Sequence, residues 1–376
     1  MEHKIDQITK KLQDGSLNRR QFVKLAGGMG MSMAGIGSLL AACAPTAVEE
    51  DESSGGGGTI TVQPWPGSYE EIYTEHVFNP FSEETGVEFI SAATLEWYNV
   101  AKIKQEVETG NPTLVLSTQL PGDVARGGAD GLFEPLNLAN IPNTANLFGD
   151  AKTLLPWGIG YLVYSYGIGY RPGSGDFNSW WDLWDPQYKG RVSLGKSHAT
   201  YVMQTINALL TGGQMSPLDV DDVIHKLEEL TPNIKKMFES DADVRNMYLN
   251  DEIDAFVFFN GRVAVQIDDG IDVNYSSPTE GALGAMDYWA VTKGASNKEL
   301  VEQFINFSLA PEQQKNIGQY LHYGPTNKLV TYDDPKYCQL MPCGTADYSK
   351  LWFEDFEYVA NNQDVWIERW NEWLAG

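Results

Sequence analysis

The chain has 376 residues, with 51 Asp and Glu against 26 Lys and Arg, a formal charge of −25. That balance argues against nucleic-acid binding, which needs a basic face to neutralise phosphate. The length leaves room for two domains with real cores, and the sequence predicts no cofactor.

The first predicted element is an export signal. Leu25 to Ala42 is about as long as a membrane span but carries five glycines and two serines, too weakly apolar for a stable lipid-facing helix. Arg19-Arg20 with Phe22 and Lys24, in "NRRQFVK", resembles the twin-arginine form of the secretory pattern. "LAAC", Leu40 to Cys43, resembles a lipoprotein processing box, so Cys43 is expected to carry the lipid that holds the chain to a membrane. Loss of residues 1–42, with six Lys and Arg and three Asp and Glu, takes the formal charge to −28. Residues 43–58, acidic and then glycine-rich, read as a flexible tether.

The folded part is expected to start near Thr59. A strand, Thr59 to Val62, leads into a helix stopped by Gly86, then a strand at Val87 to Ile90. A helix at Ala101 to Glu108 feeds a strand in "TLVLS", Thr113 to Ser117. Strand and helix alternating in this way predict a parallel α/β sheet. The same grammar returns in "RVSL", Arg191 to Leu194, and a helix from Thr200 to Leu210. A further helix carries the stripe Val220, Val223, Ile224, Leu227 and Leu230, with Ser216 as cap, Pro217 at its first position and Pro232 after its end. "DAFVFF", Asp254 to Phe259, reads as a buried strand before a helix at Gly261. Two α/β units are therefore expected, without one long sheet, and "LPWGIGYLVYSYGIGYRP" and "AMDYWAVTKG" are candidate crossovers between them. Trp366, Trp370 and Trp373 fall at i, i+4, i+7 and predict a terminal helix docked on the core.

Catalytic and metal constellations are missing. "GIGYLV" and "GIGYRP" lack the last glycine of a nucleotide-binding loop, and "GKSHA" lacks the final glycine of a nucleophile elbow. His76, His198, His225 and His322 show no zinc spacing, so no metal is expected, and His225 reads as solvated on a helix face. Cys338 and Cys343, in an exported chain, predict a local disulfide. Polar residues gather just past strand ends, where open α/β sheets place ligands. Ser117, Thr118 and Gln119 follow "TLVL"; Ser197 and Thr200 follow "RVSL"; Asn260 and Arg262 follow "AFVFF"; Trp65 follows the first strand. Together they suggest a ligand slot between two lobes.

"SWWDLWDPQYKGRVSL", Ser179 to Leu194, resembles the "SWADLW-PEYKG" signature of the solute-binding proteins of ABC importers, of the spermidine/putrescine-binding type. "FSEETGVEF", "YLNDEIDAFVFFNG", "INFSLAPEQQKNIG" and "YGPTNK" match in order. The resemblance implies an α/β fold of the two-lobed periplasmic-binding-protein kind (type II), its lobes joined by crossing strands and closing on a small solute for a membrane permease. It implies a first lobe at 59–165, a second at 166–283 and a return to the first at 284–376 with C-terminal helices. An extracytoplasmic, non-enzymatic and monomeric receptor is expected.

Carried over residue by residue, the resemblance puts Trp65, Ser117, Phe259, Asp287 and Tyr323 at the ligand, with Asp287 holding an ammonium. Trp180, Trp181 and Trp184 are read as packing. Departures matter more. Two acidic positions of polyamine binders are here Ser197 and Thr200, an aromatic is Ala285, and an acid after the first Trp is Gly67, with Glu70 or Glu71 as substitutes. Arg262 stands where the family has a small residue; a guanidinium repels a dication but pairs well with a carboxylate. These departures favour an amino or quaternary-ammonium carboxylate of the γ-aminobutyrate kind over a polyamine, unless Arg262 turns outward or pairs with Asp268 or Asp269. An exported hydrolase is the remote alternative; it would need Ser197 bonded to His198 or His322 with an acid behind.

Overall fold

A computed structural model of the chain describes residues 57–93, 96–110 and 112–376. Arg19, Arg20, Cys43 and the rest of the predicted signal and most of the tether lie outside the described residues. None of the described helices is long and apolar enough to cross a membrane.

Strand β1 (Thr59–Gln63) is followed by helices α1 (Ser68–Tyr73) and α2 (Asn79–Thr85). The second helix stops at Gly86, which adopts φ 74 at no Cβ cost and donates its N–H to the Ser82 carbonyl. Then come β2 (Glu88–Ser91), α3 (Glu96–Thr109), β3 (Leu116–Gln119) and α4 (Pro121–Ala129). Strand β1 pairs in parallel with both β2 and β3. A long strand, β4 (Ile159–Tyr170), precedes β5 (Val192–Ser193), α5 (Ala199–Thr211), α6 (Val220–Leu230) and α7 (Asp241–Leu249). Next are β6 (Ala255–Phe259), α8 (Asn260–Asp268), β7 (Asn274–Ser276) and the second long strand, β8 (Ala282–Val291). The chain ends with α9 (Lys298–Ser308), α10 (Pro311–Leu321), β9 (Gly324–Pro325), β10 (Leu351–Phe353) and α11 (Phe356–Ala375).

Both proposed crossovers are strands, buried along almost all their length, and they pair with each other antiparallel from Ile159↔Trp289 to Tyr166↔Leu283. On the far side of β8 lies β3, Leu116 opposite Val291; on the far side of β4 lies β6, Phe259 opposite Tyr166. The order β2-β1-β3-β8-β4-β6-β5 makes one hydrogen-bonded sheet, which corrects the expectation of two units with no common sheet. Strands buried on both faces read as apolar runs, and such a run does not say which partner it will meet.

The buried side chains change company within these long strands. Those up to Tyr164 and from Ala285 to Tyr348 form one core; those from Tyr166 to Leu283 form a second, joined by Val359, Trp366 and Trp370 of α11. A smaller group around Phe256 and Phe258 lies beside α8. Helix α11 packs on α4 and also on α5 and α6, touching both lobes.

Two local expectations change. Helix α6 begins at Val220 and is capped by Asp219, whose carboxylate accepts from the N–H groups of Asp221 and Asp222, so Ser216 and Pro217 lie outside it. Strand β3 begins at Leu116 and continues to Gln119, two residues past the predicted end. Cys338 and Cys343 are bonded to each other.

Candidate ligand-binding site

Between the two cores lies a cleft of about 300 Å³, open to solvent. Its floor comes from the paired long strands. Asp287 sits opposite Leu162 and Ala285 opposite Tyr164, so the pleat puts Tyr164 and Asp287 on one face. Asp287 is 2% exposed. Trp65, just past β1, donates its indole N–H to Oδ2 at 2.8 Å, the Tyr164 hydroxyl donates to Oδ1 at 3.4 Å, and Tyr69 of α1 adds a third hydrogen bond. Burial pushes the Asp287 carboxyl up to about 7, against those hydrogen bonds and the charge of Arg262. Behind Tyr69 the hydroxyls continue into the first lobe, Tyr69 to Tyr161 and Tyr161 to Thr118 Oγ1.

Aromatic rings wall the carboxylate. Tyr164 meets Phe259 edge-on at 5.4 Å and lies 5.3 Å from the ring of Tyr323. Tyr323 rests on the first turn of α8, where a Cβ on Gly261 would approach its ring to 2.3 Å; only glycine admits that contact. Arg262 follows, half exposed at the cleft edge and paired with Asp241 at 3.3 Å. Tyr323, then Asp241 and Asp287, hold the guanidinium charge more firmly than usual. The expected alternatives, Asp268 and Asp269, are engaged elsewhere, by His322 and Arg245. Along α8 Asp268 is turned off the face of Arg262 and Asp269, though nearly in phase, lies two turns, about 10 Å, farther on, whereas Asp241 reaches Arg262 from the first turn of α7.

Trp65, Phe259, Arg262, Asp287 and Tyr323 thus line the cleft. Ser117 and Gln119 do not. Both are fully buried inside β3, bonded to each other, because the strand runs on through them. Ser197 is exposed on the loop before α5 and is not among the lining residues. Thr200 lines an adjoining hollow of about 150 Å³, which shares Leu120, Tyr164 and Tyr201 with the cleft. Glu70 accepts from Ser91 in a groove on the outside of the first lobe. Tyr164, Tyr69, Tyr201 and Asp241 were not anticipated. A tyrosine within an apolar crossover reads as core, and Asp241 reads as a helix-start acid behind its Ser240 cap.

The adjoining hollow also contains Glu354, which accepts from Gln204 Nε2 at 2.8 Å and whose carboxyl is raised by burial. The hydrolase geometry does not assemble. His198 is bonded through Nδ1 to Tyr166 and driven by burial down to about 4, and His322 is paired with Asp268. Among the described residues no cluster of His, Cys, Asp or Glu is fit to hold a metal.

Residues 76–339 match the family described as bacterial extracellular solute-binding protein. A γ-aminobutyric acid-binding protein of Pseudomonas aeruginosa is 28% identical over 84% of this chain and 91% of its own length. The spermidine/putrescine-binding periplasmic protein of Escherichia coli is 27% identical over 69% of this chain and 76% of its own. The crystal structure of an ABC transporter substrate-binding protein from Bradyrhizobium japonicum superposes with a TM-score of 0.73 at 25% identity, covering 84% of this chain and 99% of that one. With a two-lobed α/β fold, a cleft between the lobes and a family match over most of its length, the chain belongs to the bacterial extracellular solute-binding proteins, the non-enzymatic small-molecule receptors of ABC importers that work outside the cytoplasm.

Proposed function

We propose that the cleft captures a small organic amine, its ammonium set against Asp287 within the rings of Trp65, Tyr164, Phe259 and Tyr323. One observation carries this reading: a carboxylate 2% exposed, whose hydrogen-bond donors Trp65, Tyr164 and Tyr69 are all uncharged. A desolvated carboxylate gains most from a cation brought to it, and aromatic faces add cation–π attraction of about 0.5–2 kcal/mol.

For the rest of the ligand, a polyamine has the broader support. Spermidine- and putrescine-binding proteins recur among the curated relatives. The carboxylates of Asp241 in the cleft and Glu354 in the adjoining hollow offer places for a second nitrogen. Arg262 favours a second reading, a γ-aminobutyrate-like amino carboxylate, and one relative carries that name. Calorimetry with putrescine, spermidine and γ-aminobutyrate separates them. The polyamine reading expects the diamine or triamine to bind tightest, and Arg262→Ala to strengthen binding by relieving repulsion. Tightest binding of γ-aminobutyrate, lost in Arg262→Ala, would replace it with the second reading.

We also propose that a lipid on Cys43 anchors a monomeric receptor. Cys43→Ser should move the protein from the membrane to the soluble fraction, where size exclusion should report a single chain. Retention on the membrane would reject the anchor.

A further inference from the structure

We propose that Asp287 is a proton-for-ammonium exchange site: the empty cleft holds a proton on this carboxyl, and the ligand's cationic nitrogen displaces it on binding. The proposal rests on the amine reading above and adds a second ligand, the proton, to the same site. The O–H bond of the carboxylic acid breaks, the proton passes to solvent, and the ammonium takes its place beside the carboxylate.

Three features of the geometry support it. First, the cleft supplies the empty carboxylate with little positive charge. Among the described residues no lysine lines it, and its guanidinium, Arg262, is paired with Asp241. Second, the two oxygens are not equivalent. The indole of Trp65 can only donate, so Oδ2 must accept, whereas Oδ1 faces the Tyr164 hydroxyl, which can accept a proton's hydrogen bond as well as donate one. The proton therefore belongs on Oδ1. Third, the chain Tyr69–Tyr161–Thr118 consists of hydroxyls, and either atom of each bond can be the donor. It can reverse direction as Asp287 gains or loses its proton, leaving no buried hydroxyl without a partner.

The charges facing the site leave Asp287 free to respond near neutral pH. Burial raises Asp287 to about 7. Tyr69, Tyr73 and Tyr161 are held well above the ordinary tyrosine value by burial, and Tyr323 is raised to about 12, so they stay neutral. His198, lowered to about 4 by burial, is neutral as well, while Arg262 stays charged beside the Asp241 carboxylate.

The test is calorimetry of the whole chain with putrescine and with γ-aminobutyrate, at pH 6 and pH 8.5, each in two buffers of different ionisation enthalpy. Both probes keep their amines protonated throughout. We expect release of about 0.9 proton per ligand at pH 6 and almost none at pH 8.5, with affinity about tenfold weaker at the lower pH. Tyr69→Phe, which removes a donor to the ionised form, should move the midpoint of proton release upward. Binding with buffer-independent heats at pH 6 would overturn the exchange and leave the amine reading standing. Failure of both probes to bind at either pH would overturn the amine reading itself.

Discussion

Asp287→Asn will bind amines about 30- to 3,000-fold more weakly than the natural chain, the loss expected when one member of a buried, hydrogen-bonded charge pair is removed. Asparagine keeps the shape and can still accept from Trp65, so what is lost is charge. The same substitution should raise the stability of the empty protein at pH 8. The folded value of Asp287, about 7, lies above the ordinary Asp value of about 3.9. The folded state therefore binds more protons than the unfolded chain between those limits. This group's favourable contribution is full below pH 4 and is lost as pH rises through 7, a swing of up to about 4 kcal/mol. Melting curves of the empty protein from pH 4 to 8 should show that loss in the natural chain and not in Asp287→Asn. Parallel pH profiles would show that the Asp287 carboxyl is not raised in the folded state, and unchanged amine affinity would show that Asp287 is not the anchor.

Trp370→Ala will destabilise the protein by about 3–5 kcal/mol, the usual cost of emptying a buried tryptophan site. Trp370 is 1% exposed, and its indole donates to the Lys196 carbonyl at 3.0 Å, tying α11 to the loop between β5 and α5. Against a total stability of about 5–15 kcal/mol this is a large fraction. Trp373, part-buried and bonded to Thr231 at 3.2 Å, should cost much less when replaced by alanine. Thermal unfolding compares the two; equal small shifts would mean that α11 is not docked through this stripe.

What the sequence discloses follows the range of the forces involved. Gly86, the helix stripe of α6 and the tryptophan stripe of α11 are written in local spacing, and they fold as that spacing directs. Strand ends are less legible: a two-residue extension of β3 is enough to put Gln119 in the core, bonded to Ser117, the last residue of the expected strand, which is buried with it. Trp65, Phe259, Asp287 and Tyr323 reach one cleft from four distant segments; Trp65 is also marked by its place just past a strand end, whereas Phe259, Asp287 and Tyr323 are placed there by the resemblance alone, because no periodicity brings such residues together. Tyr164 and Asp241 escaped even that. The first hides in an apolar run, and the second becomes meaningful only when α7 is laid beside α8.

The place of β8 in the sheet governs the order in which the molecule can be finished. Strand β3 is complete by residue 119, yet the neighbour that covers its edge, from Leu116↔Val291 to Gln119↔Tyr288, arrives about 170 residues later. Until the ribosome has delivered that strand, the first lobe presents an uncovered β edge of the kind that invites association with other nascent chains. A premature stop anywhere before residue 282 thus removes β8, the strand that joins β3 of the first lobe to β4, and leaves both without that neighbour.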